Sequence, residues 1–203
     1  VLFAIVPIDH RGQEPASLAT YRWSRGEDPS DMAPHVVTLQ PAGDSPIVDV
    51  RVDHSGPGCP IRISARTERN EHHNAGLDAP ELDSTDSAET TSSGLTEAAE
   101  AELDSPVLLH HGTGDLFADG QEECADSFVA TYAGSSGQMR TFVWHDGDVD
   151  SIQSPSDGGV EIGAVGDFHG LGYEQLAGVR RSDGKLFIST GNGSNPPTAW
   201  QPV

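Results

Sequence analysis

Hydrophobic residues along this chain come in short runs that Gly, Pro, Asp or Ser close off before a helical period can develop. The 23 glycines and 14 prolines leave little room for long helices and favour many short strands joined by turns. From Val160 an apolar strand runs into Gly166-Asp167, and a Gly-rich loop follows through Gly170 and Gly172. A second strand starts near Leu176, and Ser182-Asp183-Gly184 turns it into a third, Lys185 to Thr190. The expected class is all-β.

Self-comparison shows this order more than once. From Val107 an apolar strand leads to Asp115, Asp119-Gly120 continues the loop, Phe128 to Tyr132 forms the second strand, and Gly134 to Gly137 turns into Met139 to Trp144. At the N-terminus the run Val-Leu-Phe-Ala-Ile-Val reads as a first strand leading to Asp9 and then to Leu18-Ala19-Thr20-Tyr21, echoed by Ala130-Thr131-Tyr132. A fourth copy begins at Ile47, with Asp53, Gly56 and Gly58 in the places of Asp167, Gly170 and Gly172. From Asp9 to Asp53 is 44 residues, from Asp53 to Asp115 is 62, and from Asp115 to Asp167 is 52. The long interval coincides with Leu77 to Ser105, which has nine Asp and Glu and no Lys or Arg; it reads as a solvated acidic loop with a short helix around Leu95 to Leu103. One repeat domain is expected over 1–203, with units near 1–44, 45–69, 106–155 and 156–203 and an acidic Ser/Thr-rich insertion or loop at 70–105.

The run Gly166-Asp167-Phe168-His169-Gly170-Leu171-Gly172-Tyr173-Glu174-Gln175-Leu176 resembles the FG-GAP/VCBS repeat of integrin-α-like β-propellers. The usual core of that repeat is an apolar strand, then Asp-Phe-x-Gly-Asp-Gly-x-x-Asp-Leu, then a strand and a Gly turn. The copy at Asp115 is recognisable and those at Asp9 and Asp53 are degenerate. The resemblance implies a β-propeller or propeller-like array of about four units, and Ca²⁺ held by oxygen ligands at alternating loop positions. Carried over from Asp167, those positions are His169, Leu171, the Tyr173 carbonyl and Gln175, a poor set because leucine cannot ligate. Carried over from Asp115 they include Asp119, the Gln121 carbonyl and Glu123, so Asp115, Asp119 and Glu123 form the calcium candidate. The alternative for the recurring aspartate is a carboxylate that accepts the next backbone N–H groups and closes an Asx-type turn.

Charge changes the picture most. Thirty-two Asp and Glu against 11 Lys and Arg give −21, and Lys185 is the single lysine. Such a surface repels phosphate backbones and anionic lipid, which argues against nucleic-acid partners and membrane-surface binding. Acid excess with almost no lysine points to a halophilic source, with an Arg-favouring high-GC bacterium as the competing explanation. No run of 18 apolar residues spans a bilayer, the opening hexapeptide lacks the basic flank of a signal peptide, and the missing initiator Met points to a processed chain or a fragment. Cys59 and Cys124 allow one disulfide or two buried thiols.

The remaining chemistry is sparse. His72-His73 and His110-His111 are adjacent pairs, which on a strand face opposite ways and do not chelate simply; His72-His73 is expected to be solvated. His110-His111-Gly112 is a faint oxyanion-loop signal without Gly-x-Ser-x-Gly or a βαβ pattern, so a hydrolase ranks last. Trp23, Trp144 and Trp200 lie near Gly-rich turns, as sugar-stacking platforms or as packing between units. Asn192-Gly193-Ser194 fits a glycosylation acceptor. The expected function is a non-catalytic extracellular or particle-surface module that binds a glycan or a protein. The alternative is a structural or assembly subunit of a virion or cell-surface layer, interacting with other subunits.

Thermal unfolding across a KCl series tests the charge argument. Lowering KCl from molar to about 0.1 M lengthens screening from about 3 to about 10 Å and is expected to lower Tm. A flat Tm contradicts a brine-adapted surface. A fall with EGTA at constant ionic strength reveals a calcium-held fold.

Overall fold

The computed structural model describes residues 2–8, 17–23, 28, 35–40, 45–53, 59–77, 87–89, 91–92, 94–117, 124, 127–152, 159–190 and 199–203. Asp9, Asp119, Glu123 and Asn192 lie outside them, so those candidates have no structural account. Strands dominate, as the punctuation of the sequence predicts, and they form four sheets of four strands. Sheet I is β1 (Leu2–Ile8), β2 (Ser17–Trp23), β3 (His35–Gln40) and β7 (Ser87–Glu89). Sheet II is β4 (Ile47–Asp53), β5 (Ile61–Thr67), β6 (His72–Leu77) and β8 (Thr91–Ser92). Sheet III is β9 (Val107–Gly114), β10 (Ser127–Ala133), β11 (Met139–His145) and β12 (Asp148–Ile152), and sheet IV is β13 (Val160–Gly166), β14 (Gln175–Arg180), β15 (Leu186–Thr190) and β16 (Ala199–Pro202). Sheets II to IV are antiparallel throughout; in sheet I β7 runs parallel to β3.

Residues 70–105 open with β6, and within Leu77 to Ser105, expected as a solvated loop with a short helix, β7 and β8, one residue apart in sequence, add a fourth strand to sheet I and to sheet II respectively. The long Asp53-to-Asp115 interval therefore holds the outer strands of two units. One helix among the described residues, α1 (Leu95–Glu102), follows where the sequence predicts it and turns Leu95 and Ala99 inward, where with Leu103 they pack on Leu108, Phe128, Ala130, Tyr132 and Phe142 of sheet III. Its outward positions Glu97, Glu100 and Glu102 are exposed.

Each sheet starts with its innermost strand, and these strands pack in chain order, β1 on β4, β4 on β9, and β9 on β13. Among the described residues no comparable packing joins β13 back to β1, so the strands do not form the closed ring of a propeller. Alternation along each strand feeds the layers between sheets. Leu39 of sheet I meets Ile47, Ile61, Ile63, Ala65 and Ala75 of sheet II. Val129, Val143 and Ile152 of sheet III meet Ile162, Leu176 and Phe187 of sheet IV. The layer between sheets II and III is different: α1 fills part of it, and polar side chains fill the rest.

Turn chemistry sets the registers. Asp146 and Gly147 both have positive φ (49° and 92°), the two-residue hairpin type that matches strand twist, and they join β11 to β12. The turn at Gly134 to Gly137 is closed by the Gly134 N–H on the Gln138 carbonyl.

Cys59, just before β5, and Cys124, before β10, are bonded, with Cα atoms 5.4 Å apart and a sequence separation of 65. The bond ties sheet II to sheet III. Closing a loop of that length in the unfolded chain is worth about 4 kcal/mol in the chain-entropy model. The double variant Cys59→Ser/Cys124→Ser is expected to lose stability of that order in urea titrations, and the loss should match that of the wild type under reduction. An unchanged midpoint contradicts the bond.

Candidate functional site

Asp53 closes β4, Asp115 follows β9, and Asp167 follows β13, three of the recurring aspartates, and the charges of all three act on Glu174. Thr113 donates its hydroxyl to Asp53 Oδ2 at 3.3 Å. The Asp115 N–H donates to Glu174 Oε2 at 2.9 Å, and the Glu174 N–H returns to the Asp115 carbonyl. Gly114 permits that contact, because a Cβ there would come within 2.5 Å of Val165 and 2.7 Å of Glu174 Oε2. Burial pushes the Glu174 carboxyl above its ordinary range; the Asp115 N–H opposes that shift, and the charges of Asp53, Asp115 and Asp167 reinforce it.

The loop after β13 is held by its own side chains. Asp167 accepts the N–H of Leu171 at 2.8 Å through Oδ1 and of Gly172 at 3.0 Å through Oδ2. These hydrogen bonds hold the Asp167 carboxyl below the usual range. Gln175 Oε1 accepts the N–H of Phe168 and of His169, while its Nε2 donates to the Tyr173 carbonyl. Backbone donors therefore occupy the carboxylate and amide that the resemblance offers to calcium, and Leu171 has no ligand atom, so this donor set does not fit the ion. Asp115 sits at the junction with Glu174, and its two proposed co-ligands fall outside the described residues. Among those residues no group of three or more His, Cys, Asp or Glu is placed to hold a metal. The locked loop leaves Phe168 and Leu171 exposed at its surface.

The histidine pairs are buried, which corrects the expectation that His72-His73 is solvated. Sheet II turns Ile61, Ile63 and Ala65 toward sheet I, and hence Ser64, with its cross-strand neighbour Arg51, toward sheet III. There Ser64 Oγ lies 2.9 Å from His111 Nδ1 and 2.8 Å from His72 Nε2, and His111 Nε2 lies 3.1 Å from Asp49 Oδ2. The carboxylate can only accept, so His111 Nε2 carries a proton. With His111 neutral, Ser64 donates to Nδ1 and accepts from His72 Nε2–H. Arg51 donates to His110 Nδ1 at 3.1 Å, which places the remaining proton of His110 on Nε2, a buried atom with no partner.

Asp49, His111 and Ser64 are the three group types of a nucleophilic triad. Ser64 has 0% of its surface exposed and its oxygen is already bonded by a second imidazole, so a substrate carbonyl has no path to it. The sequence marked the two histidine pairs but not their partners Asp49 and Ser64. The alternation Asp49-x-Arg51-x-Asp53 and Arg62-x-Ser64-x-Arg66 reads as a solvated strand face, and the His111 partner is 47 residues from Ser64.

The tryptophans stand on three different sheets. Trp144 of β11 packs on Phe128 with centroids 5.5 Å apart, and Trp200 of β16 packs against the core between sheets III and IV with its indole N–H buried. Trp23 ends β2. Neither Trp144 nor Trp200 is a fully exposed platform; both rings contribute to packing. Comparison with family models, with curated proteins and with solved structures finds no match to this chain.

The polar layer predicts acid sensitivity. Burial, then the charges of Arg51 and His111, lower His110 from the ordinary 6.5 to about 3, with Asp49 opposing; burial, then His111 and His73, lower His72 well below its ordinary value. The folded state resists protons that the unfolded state takes up. Stability is therefore fully present above about pH 6.5 and falls toward about pH 3, by up to about 1.4 kcal/mol per unit for each histidine. Asp49, whose hydrogen bond to His111 lowers it, adds a loss below its ordinary 3.8; Glu174 acts in the opposite direction. Urea midpoints in molar KCl, where surface repulsion is screened, should drop between pH 7 and 5; a flat profile contradicts neutral buried imidazoles. Ser64→Ala should cost about 2–3 kcal/mol at pH 7.5, since it strands two buried ring nitrogens.

Proposed function

We propose that this chain is a non-catalytic recognition module of an extracellular or particle surface, built as an open propeller-like array of four units. The carrying observation is the convergence of Asp53, Asp115 and Asp167, the same position in three units, around Glu174 beside a loop locked by its own side chains. Related units placing equivalent loop residues side by side is the arrangement expected of a propeller face, which supports the resemblance to FG-GAP/VCBS repeats. A disulfide between two units accords with an oxidising compartment.

Of the two ligand classes, a protein suits this face better than a glycan. The exposed side chains at the locked loop are Phe168 and Leu171 with acidic neighbours, whereas Trp144 and Trp200 are committed to packing. The partner on this reading is a basic segment with an apolar anchor. Rigid backbone lowers the ordering cost of binding, and the acidic surroundings speed approach of a cation. A hydrolase is the weakest alternative, because the one serine set in a triad-like arrangement among the described residues, Ser64, is enclosed.

Selection from a displayed peptide library is expected to enrich Lys- or Arg-containing peptides with an aromatic or aliphatic anchor. Phe168→Ser/Leu171→Ser should abolish their binding while leaving Tm within about 1 °C, since neither side chain belongs to the core. Peptides that bind the double variant equally well, or enrichment of glycans alone on an array, would sink this reading.

A further inference from the structure

Sheet IV has one face against sheet III, and among the described residues no other sheet's core packs on its second face. Along that second face a cross-strand row runs from Glu161 of β13 to Val179 of β14 and Leu186 of β15. Val179 and Leu186 are each 43% exposed, and Val203, whose N–H donates to the Leu186 carbonyl, continues the row. Ile188, two residues along β15, lies on the same side. Apolar residues in a continuous stripe across a sheet are what the inner layers of this molecule are made of. Here the stripe faces outward.

We propose that this face docks on the same face of a second copy of the chain, around a two-fold axis. Charge selects that occupant. A molecule of net −21 repels its own copies, yet at this face Glu161 is matched by Arg181 at 2.8 Å and the single lysine, Lys185, stands beside Leu186 with its ammonium 3.6 Å from Asp183. The patch is close to neutral and self-complementary. In a two-fold contact each copy presents one carboxylate and one guanidinium at the edge of an apolar stripe, so Arg181 of one copy can take Glu161 of the other while Val179 and Leu186 of both are covered. Both members of the pair are half-exposed and their bond spans only sheet IV, so exchanging partners leaves the core untouched.

The association goes beyond the loop-face reading and does not depend on it. Repulsion between two acidic bodies opposes it, so salt should strengthen it, the reverse of a contact held by ion pairs alone. Sedimentation equilibrium of the full chain, in about 0.1 M and about 1 M KCl, reads this directly: a monomer–dimer equilibrium whose Kd falls with salt is expected. Leu186→Glu should leave a folded monomer, verified by an unchanged circular dichroism spectrum. Arg181→Glu and Glu161→Arg should each weaken dimerisation about tenfold, and the double exchange Glu161→Arg/Arg181→Glu should restore it. Phe168→Ser/Leu171→Ser should dimerise normally, which separates this proposal from the loop-face reading. A wild type that stays monomeric in both salts overturns the proposal, as does a dimer that survives Leu186→Glu or a double exchange that fails to rescue.

Discussion

The molecule depends on a buried polar contact between sheets II and III. Two of its three inter-sheet layers are ordinary, branched aliphatic and aromatic side chains meeting across strands, and tolerate sliding as long as volume is conserved. The layer around Ser64 does not. An imidazole bonded on both nitrogens, from a carboxylate on β4 to a hydroxyl on β5, has one register in which all partners are satisfied, and each atom left over in another register carries a desolvation cost of about 1–3 kcal/mol. Specificity in the stacking of the units therefore comes from the histidines, and adhesion from the apolar layers and the disulfide.

That contact also has an internal sense of direction. With His111 neutral the protons point from His72 through Ser64 to His111 and on to Asp49. A proton added to His72 gains no acceptor at Ser64, whose oxygen already takes the Nε2–H, so charging that ring is opposed by desolvation first and then by the neighbouring His111 and His73.

Local turn chemistry and the aspartate repeat made much of the fold legible. The strands from Val107, Phe128, Met139, Val160, Leu176 and Lys185 fall within a residue or two of β9, β10, β11, β13, β14 and β15, because each is an apolar run ended by Gly or Asp-Gly. The outer strands β7 and β8 were not legible. They are two or three residues long, lie in an acidic tract, and are fixed by pairing with strands well upstream, β3 ending at Gln40 for β7 and β6 ending at Leu77 for β8. The same limit hid the functional clusters. Asp49, Ser64, His72 and His111 are ordinary polar residues on alternating strands, and only the stacking of one sheet on another decides that their shared face is interior. The recurring aspartate was visible as a position, while its neighbour Glu174, which gathers three of those positions, has no repeat partner in the sequence to give it away.

Repetition and departure from it divide the work within each unit. Where the copies agree, at the strand-end aspartate, the residue accepts hydrogen bonds: Asp167 closes its own loop on two N–H groups, and Asp53 takes a hydroxyl from the neighbouring sheet. Where a copy departs from the pattern, the residue links one unit to the next or meets solvent. Glu174 joins two units, His111 joins two others, and Phe168 and Leu171 stand outside both. A repeat that must stack without sliding needs such asymmetry, because identical faces admit several registers of equal energy. The acidic surface then acts on the whole stack at once, opposing association, and the outer face of sheet IV is one place where carboxylates are matched by cations.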